Sequence, residues 1–306
     1  MTSAAWPALD VLQLRIAGLG IQIAWDGATI QDDSANTFCD KFRATGPAEI
    51  RLQVHCGKLP RLHRDRLIFD ALPNHWLLFR VDGRHLFEIF DTHPPHPLAQ
   101  LALVSSDFHT GEVYLQPQRD ASRWSWSLPR LMNPFGELLL INLLSQGRGV
   151  LLHALGVSDQ GEGLLFIGGS GAGKSTLANL YKPYQSNGGV TILSDERVIV
   201  TKEDGRFWLS GTPWPGEGLT VSSETVPLRK VFFIEHGKAN TLISDRLINL
   251  HGLLFQQLFL PFWNREALAF VLQFGEELLT TLPTARLAFV NDARVIEFLR
   301  KEAHSD

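Results

Sequence analysis

Gly168-Gly169-Ser170-Gly171-Ala172-Gly173-Lys174-Ser175-Thr176 is the stretch on which the reading of this chain turns. It follows the apolar run Leu164-Leu165-Phe166-Ile167, which reads as a buried strand. It precedes Leu177-Ala178-Asn179-Leu180-Tyr181, which reads as the first turns of a helix. Gly168 to Ser175 matches G-x-x-x-x-G-K-[ST] in full, in the strand–turn–helix setting that a phosphate-binding loop requires. The glycines let backbone N–H groups turn inward around a phosphate, and the helix N-terminus adds partial positive charge. On this reading Gly168, Gly169, Ser170, Gly171, Ala172, Gly173, Lys174, Ser175 and Thr176 hold a nucleotide. Lys174 reaches the β- and γ-phosphates, and the Ser175 hydroxyl ligates Mg²⁺.

Beyond the loop, Val190-Thr191-Ile192-Leu193-Ser194 reads as a second apolar strand, and it ends in Asp195-Glu196. Beside a phosphate loop such a pair is a candidate second half of the site, placing a metal or accepting the proton of an incoming hydroxyl. The short interval from Lys174 to Asp195 suits a compact kinase. Neither a Leu-Ser-Gly-Gly-Gln motif nor an Asn-Lys-x-Asp motif is present, so the nucleotide is ATP or GTP, with no base-reading signature. Gly211-Thr212-Pro213-Trp214-Pro215-Gly216-Glu217-Gly218 has too much proline and glycine for a regular element and reads as a binding-site loop. Strands are expected at 150–157, 198–200, 206–209, 228–235 and 285–290. Helices are expected at 135–144, 248–260, 266–279 and 295–300. Strands and helices mixed around the loop make an α/β domain.

The amino-terminal side reads differently. Short alternating runs at 11–17, 20–24, 50–54, 65–69, 76–81, 84–90, 101–104 and 112–115 are strand-like, and Asp82-Gly83 marks a hairpin. No helix pattern longer than two turns precedes Pro134. His93, His96, His109 and Asp107 lie close in sequence without a metal-binding spacing, and read as polar turn residues. Trp124 and Trp126 share a face if extended, and are expected at a domain junction. The boundary is set near residue 130, giving a β-rich domain at 1–130 and a phosphate-loop kinase-like domain at 131–306.

Composition bounds the function. The chain has 306 residues, 44% of them hydrophobic, and a formal net charge of -4, which gives no support for a nucleic-acid surface. The two cysteines, Cys39 and Cys56, read as thiols in a reducing compartment rather than a disulfide framework. Met1–Leu9 lacks the pattern of a signal peptide and no apolar run is long enough to span a membrane, so a cytoplasmic protein is expected.

From about residue 130 the sequence resembles the HPr kinase/phosphorylase family, within the wider group that includes phosphoenolpyruvate carboxykinase. The resemblance rests on His153 in the strand before the loop, on Gly168–Thr176, on Leu193-Ser194-Asp195-Glu196 and on Gly211-Thr212-Pro213-Trp214. It implies a phosphate-loop nucleotide-binding α/β domain of HPr kinase/phosphoenolpyruvate carboxykinase type, preceded by a β-rich amino-terminal domain. It implies His153 close to the phosphates. It implies the carboxylates of Asp195 and Glu196 as metal ligand and catalytic base, with Asp195 activating the acceptor hydroxyl and Glu196 assisting metal binding. The catalytic set is then Asp195, Glu196, His153 and Lys174, and the metal set is Ser175, Asp195 and Glu196. The chain departs from the family in having Glu, not Asp, at the second acidic position. Gly211–Gly218 also stands where the family has its glycine-rich signature loop, which points to an acceptor other than HPr. The expected function is an ATP- and Mg²⁺-dependent kinase transferring the γ-phosphoryl group to a hydroxyl, such as a serine of a protein or peptide. The alternatives are a nucleotide-regulated binding protein without phosphotransfer, or a small-molecule kinase. No nucleic-acid partner and no membrane span are expected.

Overall fold

The structure is a computed structural model and describes residues 10–25, 29–30, 36–71, 75–116, 125–186, 189–243 and 247–303. Met1–Leu9 and Trp124, which figure in the sequence reading, lie outside the described residues. The chain divides into two compact units, Met1–Leu143 and Leu144–Asp306. A β-rich sheet occupies the first and a mixed α/β arrangement the second.

The first unit is built on one eight-stranded sheet. Its strands are β1 (Asp10–Ile16), β2 (Leu19–Trp25), β4 (Ile50–Cys56), β5 (Arg66–Ala71), β6 (Trp76–Val81), β7 (Arg84–Phe90), β8 (Leu98–Val104) and β9 (Thr110–Leu115), in the order β1-β2-β4-β9-β8-β7-β6-β5. The short strands β3 (Thr29–Ile30) and β10 (Ser125–Trp126) pair separately. Period-two alternation explains the sheet: Leu12, Leu14 and Ile16 are buried, as are Ile21 and Ile23 opposite them. The β6–β7 turn places Asp82 (φ 47°) and Gly83 (φ 75°) in the left-handed region, the two-residue hairpin that Asp-Gly encodes. Helices are short here: α1 (Asn36–Asp40), α2 (Leu128–Leu131) and α3 (Glu137–Leu144). The helix expected from residue 135 is entered through an irregular turn at Met132–Gly136, because Asn133 takes extended angles (φ -123°, ψ 118°) ahead of Pro134. Trp126 packs edge-on against Trp25 with ring centroids 5.3 Å apart and is 1% exposed, which leaves no ring face open. His93 bonds Asp91, while Asp107 accepts from Ser105 Oγ and the His109 N–H, so these are locally satisfied turn residues. Cys39 and Cys56 are not joined in a disulfide, and burial pushes the Cys39 thiol up to about 12.

His85 makes this unit sensitive to acid. Its ring stacks on Phe108 at 4.6 Å. Burial, and then the charge of Arg80, lower its pKa from 6.5 to about 4. Between those two values the unfolded chain binds a proton that the folded one does not, so stability falls as pH drops from about 6.5 to about 4. Substituting His85→Phe should flatten that limb in urea midpoints measured against pH. A slope as steep as in the wild type would show that other groups cause the acid loss.

The second unit holds β11 (Gly149–Asp159), β12 (Glu162–Ile167), α4 (Lys174–Gln185), β13 (Val190–Ser194), β14 (Arg197–Glu203), β15 (Arg206–Ser210), β16 (Thr225–His236), β17 (Thr241–Ile243), α5 (Leu247–Phe255), α6 (Arg265–Thr281), β18 (Thr284–Phe289) and α7 (Arg294–Ala303). β11 and β16 are long enough to serve two sheets each. The first half of β11 pairs with β14, while its second half is flanked by β12 and β13. β16 pairs first with β15, then with β12 and β18. Because β12 and β13 both run antiparallel to β11, they run parallel to each other, and β16 and β18 run parallel to β12. Four strands therefore end on one edge, at Ile167, Ser194, His236 and Phe289. One face is covered by α4 and α7 through Leu177, Tyr181, Ile296 and Leu299. The other is covered by α5 and α6 through Leu250, Leu254, Phe274 and Leu278. Near-continuous burial of β12 and the centre of β16 follows from being covered on both sides. Arg300 of α7 grips Asp159 with two nitrogens, at 2.9 Å each, tying the last helix to the end of β11.

Candidate active site

The edge where the four strands end carries an open cleft of about 520 Å³. It is lined by the loop residues Gly169–Gly171 and Gly173–Thr176, and by His153, Asp195, Glu196, Pro215–Glu217 and His236. Strand ends gather ligands in open α/β sheets because loops leave there together.

The glycine-rich loop joins β12 to α4. Gly171 (φ 79°) and Gly173 (φ 106°) adopt left-handed angles. A side chain at Gly173 would also meet the Phe289 ring at 2.7 Å, so both conformation and space demand glycine there. Lys174 opens α4 and folds back over the loop, donating to Gly168 O at 2.6 Å and Gly169 O at 3.4 Å. It is 7% exposed. Burial lowers its pKa, and Glu196 opposes that shift. Ser175 and Thr176 line the same cleft.

Asp195 and Glu196 interrupt what would otherwise be one long strand, since β13 and β14 both lie along β11. Ser194 Oγ caps the kink, accepting from Glu196 N at 3.3 Å and Arg197 N at 3.1 Å. The kink sends the two carboxylates to different partners. Asp195 is 3% exposed, and both its oxygens accept backbone donors from the proline-glycine loop: Gly216 N to Oδ1 at 3.0 Å and Gly218 N to Oδ2 at 2.7 Å. Glu196 stands 3.3 Å from His153 Nε2 through Oε2 and 3.7 Å from Arg197 through Oε1. His153 is set by its backbone, whose N–H donates to Gln257 O at 2.8 Å. Partial burial, then the charge of Lys174, lower its pKa against the pull of Glu196.

All four residues of the expected catalytic set, His153, Lys174, Asp195 and Glu196, therefore line one cleft together with Ser175. Of the loop residues singled out in sequence, Thr212 and Trp214 are buried. Thr212 serves the scaffold, donating to Arg197 O at 2.6 Å, while Pro215, Gly216 and Glu217 line the cleft. His236 escapes the sequence reading. The signal is there: like Asp195, it closes an apolar strand, Val231-Phe232-Phe233-Ile234-Glu235-His236. Among the described residues no cluster of three or more His, Cys, Asp or Glu is arranged to hold a metal by itself, and no helix is long and apolar enough to cross a membrane.

Gly218 is needed for the Asp195 clamp. A Cβ there would overlap Asp195 Oδ2. Gly218→Ala should displace the loop and cost about 1–3 kcal/mol, the usual range for overpacking. Thermal melts of the variant check this, and an unchanged midpoint would show that the loop shifts freely.

No family model matches the sequence, and no curated protein matches it. Among solved structures, the chain is similar to the HPr(Ser) kinase/phosphatase from Coxiella burnetii, at 14% identity and a TM-score of 0.24, over 32% of this chain and 66% of that one. This is a weak, partial likeness of fold, and the chain spans slightly less than two thirds of that protein.

Proposed function

We propose that the second unit is a Mg²⁺·ATP-dependent phosphotransferase that moves the γ-phosphoryl group to an acceptor hydroxyl, with a peptide or protein serine as the first acceptor class to test. One observation carries this reading: a lysine-bearing glycine loop and a carboxylate–histidine pair face the same cleft. The cleft falls in the size range of small-molecule sites. The donor set also fits a nucleotide and its metal. Mg²⁺ is commonly held by one or two carboxylates, a hydroxyl and the phosphates themselves, so a ready-made protein cage is not required. Ser175 would supply a protein ligand, the negative acidic pair would attract the ion through its retained waters, and a bound ion would neutralise charge on the phosphate oxygens.

The residues divide the work. Loop amides between Gly169 and Lys174, apart from that of Ala172, which already bonds Gly169 O, would receive the β-phosphate. Lys174 exchanges its loop carbonyls for β- and γ-oxygens. Glu196, oriented by His153, accepts the acceptor's proton as the new O–P bond forms and the bond to the β-phosphate oxygen breaks. Asp195 keeps Gly216 and Gly218 in place, which holds Glu217 at the mouth of the cleft. This departs from the assignment of Asp195 as base, because both Asp195 oxygens already accept amide donors. The test is transfer of radiolabelled γ-phosphate from ATP to arrayed peptides and hydroxyl metabolites. Nucleotide binding with no transfer and no hydrolysis would favour a nucleotide-regulated binding protein instead.

A further inference from the structure

A loop that receives an anion through its N–H groups must point its carbonyl oxygens elsewhere, and those oxygens need donors of their own. Lys174 Nζ supplies Gly168 O and Gly169 O, and the Ala172 N–H also reaches Gly169 O at 3.1 Å. The lysine bonds must break when the ammonium turns to a phosphate. Gly171 O is served from a different strand, by His236 Nε2 at 2.9 Å. A carbonyl oxygen only accepts, so Nε2 carries the hydrogen. The fold delivers His236 to this place: β16 pairs with β12 through Phe232↔Phe166 and Phe233↔Ile167, which sets the end of one strand beside the loop that leaves the other. Its ring lies 6.0 Å from that of Phe289, and a Cβ on Gly173 would stand 3.3 Å from His236 Cε1. The neighbouring Glu235 is paired with Arg286.

We propose that His236 is a positioning residue of the phosphate loop. Its Nε2–H fixes the Gly171–Ala172 peptide plane, whose N–H closes the turn onto Gly169 O, so the loop keeps its shape after Lys174 has left it for its ligand. This rests on the phosphate-loop reading above. The alternating φ values of an anion nest are cheap for glycine but also easily lost, and a side-chain anchor on another strand restrains them.

Two variants separate the donor from the ring. His236→Gln keeps an N–H at similar reach, whereas His236→Phe keeps a ring without a donor. The Ala172 amide shares a peptide unit with the Gly171 carbonyl, so its ¹⁵N resonance reports the bond in the ligand-free protein. It should move in His236→Phe and stay near its wild-type position in His236→Gln, and the wild-type imidazole should show the Nε2–H tautomer. With Mg²⁺·ATP, His236→Phe should bind about tenfold more weakly and His236→Gln within about twofold of wild type. An Ala172 resonance unmoved in His236→Phe overturns the inference whether or not nucleotide binds. A His236→Gln protein that behaves like His236→Phe overturns the donor role. A wild-type protein without affinity for nucleotide sinks the phosphate-loop reading instead, and the ligand-free spectra tell the two failures apart.

Discussion

Lys174→Ala should weaken Mg²⁺·ATP binding by about 10- to 100-fold, the equivalent of roughly 1.5–3 kcal/mol for hydrogen bonds made by a charged donor. Without a ligand the lysine lies over the loop on Gly168 O and Gly169 O. Its replacement leaves the developing charge on the β- and γ-oxygens without its point charge. Thermal stability should change much less. Burial lowers the Lys174 pKa, so the charged form is disfavoured in the folded protein relative to the unfolded chain. That cost is fully present below the folded-state pKa and fades as pH rises through it. Lys174→Met, which keeps the apolar stem, removes that cost but also the donor to Gly168 O and Gly169 O, so its melting temperature should stay near that of the wild type while affinity falls. Calorimetric titration beside a melting curve reads both. Equal affinity in wild type and variant would remove the glycine loop from nucleotide binding.

Glu196→Gln should lower single-turnover phosphoryl transfer more than Asp195→Asn does, by on the order of 10²–10⁴ if Glu196 is the proton acceptor. The ranking rests on what each carboxylate touches. Glu196 lies beside His153 and faces the cleft, so its amide isostere keeps shape and loses basicity. Asp195 receives two backbone N–H groups, and an asparagine can accept at only one of the two positions. The other loop N–H then faces an NH₂ group. That should destabilise the protein by about 1–3 kcal/mol, the usual cost of a buried donor without a partner. Asp195→Asn should thus show its main effect in the melt, with a smaller loss of rate from a displaced Glu217. The deciding measurement is single-turnover transfer, or slow ATP hydrolysis where no acceptor is in hand, run with a melt of each variant. If Asp195→Asn loses rate by the larger factor while melting like the wild type, Asp195 is the base and Glu196 is not.

Much of this site is legible in sequence because its parts are local. A phosphate loop needs its glycines, lysine and hydroxyl within nine consecutive residues, and the flanking apolar runs announce the strand and the helix. The strands at 76–81 and 84–90 and the hairpin between them follow equally from alternation and from Asp-Gly. Asp195-Glu196 stands out for a similar reason, as a charged end on an apolar strand. Their separate partners do not, since these depend on a kink between two strands that share β11 and on a loop some twenty residues away along the chain. His153 is marked by resemblance, and its contact with Glu196 is a tertiary fact.

Local sequence is enough to point to an anion-holding loop, to the residues expected to hold the anion, and to a sheet-rich segment followed by a mixed one. These readings depend on short-range pattern and on backbone angles that only certain residues adopt. Three further features belong to the folded chain: β12, β13, β16 and β18 end on one edge, Asp195 serves the proline-glycine loop while Glu196 meets His153, and His236 reaches Gly171. Those outcomes turn on which strands pair. Pairing is set by burial of whole faces across residues far apart in the chain, and no local window of sequence contains it.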